Sequence, residues 1–185
     1  MRSRDLRFEH FSSQQGLSQS IVECGLIDRQ GFLWFGTEDG LNRFDGYDFR
    51  VFRHRVDDPL SLSYSEVKCL VEDREGRLWV GTRGEGLAVW DGETWQSYRT
   101  GNSDIPHNTV TALAEVEPGV LWVGTASPSE VGGVLARFDG QTWKHYTRQD
   151  SGSSMAEPLA IAQDGQGRWW IGTRTSGIDI YQVDR

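Results

Sequence analysis

The chain has few residues of the kinds that catalyse reactions or bind metal ions. Its four histidines and two cysteines are scattered, with no Cys-x-x-Cys pair and no histidine cluster. No serine lies in a Gly-x-Ser-x-Gly turn, and neither a phosphate-binding glycine loop nor a calcium-loop spacing is present. The sequence therefore predicts no catalytic residue, no bound metal and no cofactor.

Residues suited to binding a ligand through hydrogen bonds are concentrated in the connections between apolar segments. Such connections commonly carry function on a rigid scaffold, although each residue taken singly is equally well explained as solvated loop surface. The candidates are Glu38, Asp57, Asp58, Arg83, Glu85, Asn102, Asp104, His107, Asn108 and Arg174.

Composition excludes several classes of partner. The chain has 185 residues, with 19 Lys and Arg against 27 Asp and Glu, and its net charge of -8 argues against a nucleic-acid-binding surface. No run of about 18 apolar residues is present, so no membrane insertion is predicted. The Arg-rich start is not followed by an apolar stretch, so no signal peptide is predicted, and the cellular compartment stays open.

A four-residue pattern, Trp-x-Gly-Thr, recurs four times and sets the organisation of the chain. It begins at Trp34, Trp79, Trp122 and Trp170, so the intervals are 45, 43 and 48 residues. A period of about 45 residues is typical of one blade of a β-propeller. Because all eight tryptophans fall on repeat positions, we interpret the four in this pattern as packing residues between blades.

Each repeat divides into four short strands, here called a to d, and no segment has helical periodicity. Strand a, such as Val67 to Val71, leads through a tight turn into strand b with the Trp-x-Gly-Thr pattern. Strand c follows and ends at an Asp-Gly turn in the first three repeats, and strand d opens on an aromatic, as in Trp95-x-x-Tyr98. In this arrangement the b–c and d–a connections emerge on one face, where the candidate ligand-binding residues gather.

The two ends of the chain are complementary. Phe8 to Phe11 match strand d with no strands a to c before them, and the chain stops after strand c near Tyr181. We therefore predict 16 strands in one all-β propeller domain spanning residues 1–185, with the N-terminal strand completing the last blade. The repeats are expected at about 20–65, 66–109, 110–157 and 158–185, the last completed by residues 6–12.

Cys24 and Cys69 share one repeat position, ten residues before the strand b tryptophan. The third and fourth repeats have Ala112 and Ala160 there, so a small residue at a crowded site explains the position. A disulfide is not expected, because equivalent positions of adjacent blades should exceed the Cα separation of about 7 Å that a bridge can span. We interpret both as structural thiols.

These repeats resemble the two-component-regulator propeller family, most closely in the segment from Phe8 to Phe52. That segment contains Gly16-Leu17-Ser18, Phe32-Leu33-Trp34-Phe35-Gly36-Thr37 and Gly40-Leu41-Asn42-Arg43-Phe44-Asp45-Gly46. The resemblance implies a sensor-type propeller, usually extracytoplasmic, and a small molecule or an oligosaccharide as its ligand. Seven repeats are typical of that family, whereas this chain has four.

Four repeats leave the closure of the ring open to three hypotheses. A blade of a seven-blade ring turns by about 51°, one of an eight-blade ring by about 45° and one of a four-blade ring by about 90°. Repeats of the seven-blade type can join an eight-blade ring with a small change of angle, whereas a four-blade ring needs nearly twice the angle. We therefore favour a head-to-tail homodimer with eight blades, with a self-closed four-blade monomer second and a piece of a longer propeller third.

Taken together, the sequence predicts a non-enzymatic, ligand-binding or sensor-type propeller module. One alternative is a propeller for protein–protein interaction or assembly. The other is a small lyase similar to the streptogramin-inactivating propellers, for which His107 is the only plausible starting residue.

Overall fold

The computed structural model describes residues 7–127, 132–146, 152, 154 and 156–182. The strands in these residues form four antiparallel sheets that follow one another along the chain. The first three sheets have four strands and the fourth has three, and strands adjacent in sequence are adjacent in each sheet. The predicted all-β architecture of four propeller blades is therefore confirmed.

The strands of the four blades follow the Trp-x-Gly-Thr repeats. A 3-10 turn at Ser13–Gln15 is the only helical segment among the residues just given, and none of their helices is long and apolar enough to cross a membrane. Blade 1 contains β1 (Val22–Ile27), β2 (Leu33–Thr37), β3 (Gly40–Phe44) and β4 (Phe49–Phe52). Blade 2 contains β5 (Val67–Glu72), β6 (Leu78–Thr82), β7 (Leu87–Trp90) and β8 (Trp95–Tyr98). Blade 3 contains β9 (Thr109–Glu117), β10 (Val120–Ala126), β11 (Gly133–Phe138) and β12 (Trp143–Tyr146), and blade 4 contains β13 (Pro158–Gln163), β14 (Trp169–Thr173) and β15 (Ile178–Tyr181).

Consecutive blades bury an apolar seam between them. Trp34, Trp79 and Trp122 are buried in the first, second and third seams, each facing the blade that follows. Side chains alternate across a strand, so the neighbours of each tryptophan, such as Leu78 and Val80, face the preceding blade. The interpretation as packing residues between blades is confirmed for these three tryptophans, whereas Trp170 of blade 4 is half-buried and lies in none of the three seams.

In blades 1, 2 and 3, the glycine of the Trp-x-Gly-Thr pattern is closely covered by a residue of the following blade. A Cβ atom built on Gly36 would lie 2.5 Å from Val67 Cγ1, and one on Gly124 would lie 2.8 Å from Pro158 Cβ. Gly81 is closed in the same way by Val110. The first inner-strand residue of each following blade therefore packs directly on the bare backbone of this glycine.

A buried carboxylate fixes the tryptophan of blade 2. Asp73 accepts hydrogen bonds from the indole Nε1 of Trp79 at 2.7 Å, from Arg77 Nε at 2.7 Å and from the backbone N–H groups of Glu75 and Arg77. Burial alone would raise the pKa of Asp73, but the hydrogen bonds from Trp79 and Arg77 outweigh it and lower that pKa. Blades 1 and 4 repeat the indole contact with Asp28 and Asp164.

The N-terminal segment does not form the predicted sixteenth strand. Phe8 to Phe11 adopt no strand, and the fourth sheet ends at β15 in the described residues. Phe11 packs instead against Phe44 and Phe49 of blade 1, with ring centroids 5.2 and 5.9 Å apart. The physical reason is distance along the arc of blades. Inner strands of consecutive blades touch, but no comparable contact joins β13 of blade 4 to β1 of blade 1. The N-terminal segment therefore stays on blade 1.

The two end blades consequently expose apolar faces. Val22 and Ile27 of blade 1 are 46% and 68% exposed, and Ile178 and Ile180 of blade 4 are 62% and 54% exposed. Their counterparts in the inner seams, such as Val67 and Val110, are fully buried. Exposed apolar faces of this kind are typical of interaction surfaces.

We expect Gly81→Ala to destabilise the fold by about 1 to 3 kcal/mol, because the new methyl group must displace Cys69 and Val110 in a packed seam. Urea denaturation followed by tryptophan fluorescence measures the change. Gly101→Ala is the matched control, since no atom lies within 4 Å of its Cβ position. Equal stability of the two variants would contradict the close packing.

We expect Asp73→Asn to lower the free energy of unfolding at pH 7 by about 2 to 3 kcal/mol, because an amide supplies only one acceptor oxygen for these donors. A carboxyl group with a lowered folded pKa stabilises above its unfolded pKa of about 3.9, and this contribution is lost as the pH falls through the folded pKa. The difference from the wild type should therefore shrink below about pH 4. Denaturation curves at pH 7, 4 and 3 test this, and a difference independent of pH would contradict it.

Candidate functional site

A polar basin lies where the inner strands of the blades meet their b–c connections. Its volume is about 660 Å³, within the range of small-molecule sites. The basin is lined by Glu23, Lys68, Arg83, Thr109, Thr111, Ala126, Ser127, Glu157, Leu159 and Arg174. It thus draws residues from all four blades.

A row of ion pairs crosses one side of the basin, from blade 1 to blade 2. Lys68 Nζ lies 2.8 Å from Glu23 Oε1 and 3.4 Å from Glu66 Oε1. The same Glu66 oxygen accepts a hydrogen bond from Arg83 Nη1 at 2.8 Å. Charges of opposite sign therefore alternate along this side, each held by its neighbour.

These contacts favour the charged form of Glu66, Lys68 and Arg83. Burial alone would raise the pKa of Glu66, but the hydrogen bonds from Arg83 and Lys68 outweigh it and lower that pKa. Burial likewise opposes the charge of Lys68, yet its bond to Glu23 raises the pKa of the amine. The hydrogen bond to Glu66 also raises the pKa of Arg83. Glu66, Lys68 and Arg83 are therefore charged at neutral pH.

A second ion pair stands across the basin on blade 4. Arg174 donates from Nε and Nη2 to the two carboxylate oxygens of Glu157, at 2.6 and 2.8 Å. Between the two sets, Thr109 Oγ1 donates to the backbone carbonyl of Arg83 at 2.7 Å, and Thr111 Oγ1 donates to that of Pro158. The basin therefore presents guanidinium, carboxylate and hydroxyl groups in fixed positions.

Three carboxylates of this rim approach one another closely. Oxygens of Glu23, Glu38 and Glu66 lie within 4.8 Å of one another. Two of the three are already bonded to Lys68 and Arg83, so cations of the protein itself balance their charge.

The structure brings Arg83 and Arg174, two of the predicted ligand-binding residues, into the basin. Glu38 lies beside it, in the carboxylate group just described, and accepts a hydrogen bond from Gln19 Nε2 at 3.2 Å. The two arginines occupy equivalent positions after Gly-Thr in blades 2 and 4, which is the regularity from which they were predicted.

Several other predicted residues shape loops. Asp58 Oδ1 accepts from the backbone of Leu60, Asn102 Oδ1 from that of Arg99 and Asn108 Oδ1 from that of Thr100, all within 3.0 Å. The remaining predicted residues lie elsewhere on the surface. Glu85 is paired with Arg99 at 2.8 Å, the backbone carbonyl of Asp104 contacts His145, and Asp57 and His107 do not line the basin.

Sequence reasoning missed the inner-strand part of the basin. Glu23, Lys68, Thr111 and Leu159 all directly precede the small residue at the cysteine position. Three polar residues at one position of an otherwise apolar strand were a signal that this side faces water. The predicted candidates lie in connections between strands, so these inner-strand residues are not among them. Glu157 was also not predicted, although it lies in the connection before β13.

Comparison with known proteins supports the assignment of the repeats. A family model, two component regulator propeller, matches residues 61–84, 104–127 and 152–175. Three segments of the chain therefore match the two component regulator propeller repeat. Each matched segment contains strands a and b of one blade, and therefore the inner strand that lines the basin.

Two comparisons place these repeats in longer proteins. A stretch of 55 residues is 46% identical to histidine kinase P4 of Formosa agariphila, and it covers 30% of this chain and 4% of that protein. The extracellular domain of a protein assigned as the hybrid two component system BT3049, from B. thetaiotaomicron, superposes with a TM-score of 0.64. That match is 22% identical and covers 95% of this chain and 30% of the other, so it shows the fold alone.

The fold also occurs in a protein assigned as a gluconolactonase. The two chains superpose with a TM-score of 0.58 over 87% of this chain and 60% of the other. Their sequences are 12% identical, so the likeness extends to the propeller and not to an activity.

Both cysteines lie beside the basin strands and are free thiols, as expected for structural residues. Burial raises the pKa of Cys24 to about 12, and burial also raises that of Cys69. The thiolate is the reactive form, and a raised pKa reduces its fraction at pH 8. Both cysteines should therefore react with iodoacetamide at pH 8 at least about 100-fold more slowly than an ordinary thiol of pKa about 8.5. Mass spectrometry before and after unfolding in urea tests this, and fast labelling of the folded protein would contradict it.

Proposed function

We propose that this protein is a non-enzymatic, sensor-type propeller module that binds a small hydroxyl-rich molecule of the oligosaccharide class in the central basin. The observation that carries the proposal is the set of alternating cations and carboxylates on the basin wall. Lys68, Arg83 and Arg174 face the same space as Glu23 and Glu157.

These ion pairs are better explained by recognition than by stability. The side chains of Arg83 and Arg174 are 58% and 60% exposed, and exposed ion pairs contribute about 0 to 1 kcal/mol. Their effect is to hold each guanidinium in one orientation, which reduces the entropy lost when a ligand binds.

The chemistry of the wall fits hydroxyl groups. A sugar hydroxyl both donates and accepts a hydrogen bond, so neighbouring hydroxyls can bond to a guanidinium and to a carboxylate at once. None of the described residues that line the basin is aromatic, so recognition by these residues depends on polar contacts.

The sensor role is supported by the repeats. They are of the two component regulator type, and the compared proteins include a histidine kinase and the extracellular domain of a hybrid two component system. The site itself lies on rigid inner strands, which suits a module whose ligand must be read out by another protein or domain.

The lyase alternative has weaker support. A lyase of this kind requires a histidine paired with an acid, and among the residues that the structure describes no hydrogen bond or ion pair joins His107 to one. If a lyase activity is measured, loss of that activity in a folded His107→Ala variant would favour the alternative.

We expect one or more members of a panel of neutral and acidic oligosaccharides to raise the melting temperature, because a ligand that binds only the folded state stabilises it. Arg83→Gln and Arg174→Gln should each weaken binding about tenfold or more through loss of a charge-assisted hydrogen bond. Differential scanning fluorimetry followed by calorimetry gives both results.

Arg99→Gln is the matched control, because Arg99 forms an exposed pair with Glu85 at 2.8 Å but does not line the basin. It should bind like the wild type. A ligand that binds all three variants equally would exclude the basin as its site, and a panel without any binder would favour the protein-interaction alternative.

A further inference from the structure

The N-terminal segment occupies the place of an outer strand that belongs to a preceding blade. In the first seam, Phe52 of blade 1 lies 5.8 and 6.1 Å from Trp90 and Trp95 of blade 2. In the second seam, Tyr98 contacts Phe138 and Trp143 of the next blade at 4.8 and 6.4 Å.

Phe11 repeats this contact on blade 1. Its ring lies 5.2 and 5.9 Å from Phe44 and Phe49, which are the counterparts in blade 1 of Trp90 and Trp95. The segment is thus positioned as strand d of a blade that would stand before blade 1. Among the described residues, no strands a to c accompany it at this position.

Blade 4 has the opposite gap, because its described residues form strands a to c and no described strand pairs with the outer edge of β15. Ser154 donates from its backbone N–H and its Oγ to the Asp179 side chain of this strand. A groove of about 610 Å³ runs beside this edge, between Trp122 and Tyr146 of blade 3 and Ile178 and Tyr181 of blade 4. In the other blades the first aromatic of strand d packs at the end of strand c, as Trp143 does on Phe138 at 4.4 Å. The corresponding partner for Tyr181 would be Phe8, which is 89% exposed.

The glycine contacts between inner strands also show a gap at the end of blade 4. Gly36, Gly81 and Gly124 are covered by Val67, Val110 and Pro158 of the following blade. In blade 4, the Cβ position of Gly172 has only Ala160 of its own blade nearby, at 3.7 Å.

Val22 is the unpaired counterpart of these covering residues. It pairs with Thr37 as Val67 does with Thr82, and it is 46% exposed. Gly172 of blade 4 therefore has no covering residue from another blade, and Val22 of blade 1 covers no glycine. The two residues lie at opposite ends of the arc.

A polar contact of the first two seams is replaced at both ends of the arc, as it also is in the third seam, where Glu117 and Gln163 stand at these positions. Arg29 bonds across the first seam to Glu72, and Arg74 bonds across the second seam to Glu115. At the ends, Gly165 takes the place of the arginine in blade 4, and Ile27 takes the place of the glutamate in blade 1. Neither end would leave a charge unpaired if the two met.

We propose that blade 4 of one chain packs on blade 1 of a second copy, and that two such seams close a head-to-tail dimer of eight blades. In each seam Val22 covers Gly172 of the other copy, and Phe8 to Phe11 pair with the edge of β15. Two-fold symmetry closes the ring, so growth stops at two chains. The proposal goes beyond ligand binding and does not depend on it.

The experiment is the molar mass in solution by size-exclusion chromatography with light scattering at several concentrations. The wild type should give a concentration-stable mass twice that of the 20.9 kDa chain. Gly172→Val should give the monomer mass, because the new side chain occupies the space of Val22 while the isolated blade has room for it. Val22→Arg should do the same from the other side, and Gly101→Val is the matched control that should remain a dimer.

A mixture of Gly172→Val and Val22→Arg chains gives the sharpest result. One intact seam remains possible in the mixed pair, since Val22 of the first variant can meet Gly172 of the second. Dimer mass should therefore return on mixing, which an interface made from the same face of both copies would not allow. Circular dichroism of each variant separates loss of the seam from loss of the fold.

Three results would overturn the proposal. A wild type that is monomeric at tens of micromolar would leave the two end faces to an occupant other than a second copy. Mass that grows steadily with concentration would indicate an open chain of copies. Variants that remain dimeric, or a mixture that stays monomeric, would place any dimer interface elsewhere.

Discussion

The contact between a bare glycine and the first inner-strand residue of the next blade is the constraint on which the rest of the structure depends. With no side chain on Gly36, Gly81 or Gly124, the inner strands approach closely enough for the tryptophans to be buried in the seams. Each blade therefore specifies the position of the one after it. The arc of blades, the central basin and the two exposed end faces all follow from this repeated step.

Hydrogen bonds from the indole to a turn aspartate hold the strand b tryptophan in place in blades 1, 2 and 4. Asp73 is 1% exposed and holds both the indole of Trp79 and the side chain of Arg77. Blade 3 replaces this arrangement: its turn has no aspartate, and Glu115 accepts from the backbone N–H of Gly119 at 3.0 Å. The same glutamate bonds to Arg74 of blade 2, so one carboxylate there serves both the turn and the seam.

Stability and recognition use different parts of the same strands. Residues of the inner strands that face a neighbouring blade, such as Val67 and Val110, are fully buried and apolar. Residues that face the centre, such as Glu23 and Lys68, are charged and paired with one another. Glu23 and Lys68 lie at the register shifts between Val22 and Cys24 and between Val67 and Cys69, while the residues on either side of them pack toward the seams. The basin wall can therefore change its chemistry without disturbing the seams.

The sequence by itself determined the fold class, the number of blades and the packing role of the tryptophans, because these depend on a local pattern that recurs four times. Single positions such as Arg83 and Arg174 were also found, since they occupy the same place in two repeats. Only the tertiary structure joined them to Lys68, Glu66 and Glu157, because the inner strands converge from positions far apart in the chain. The same is true of the N-terminal segment: its pattern identifies a fourth-strand sequence, but which blade it contacts is decided by distance along the arc. Phe11 therefore rests on blade 1, and blade 4 has three strands in the part of the chain that the structure describes.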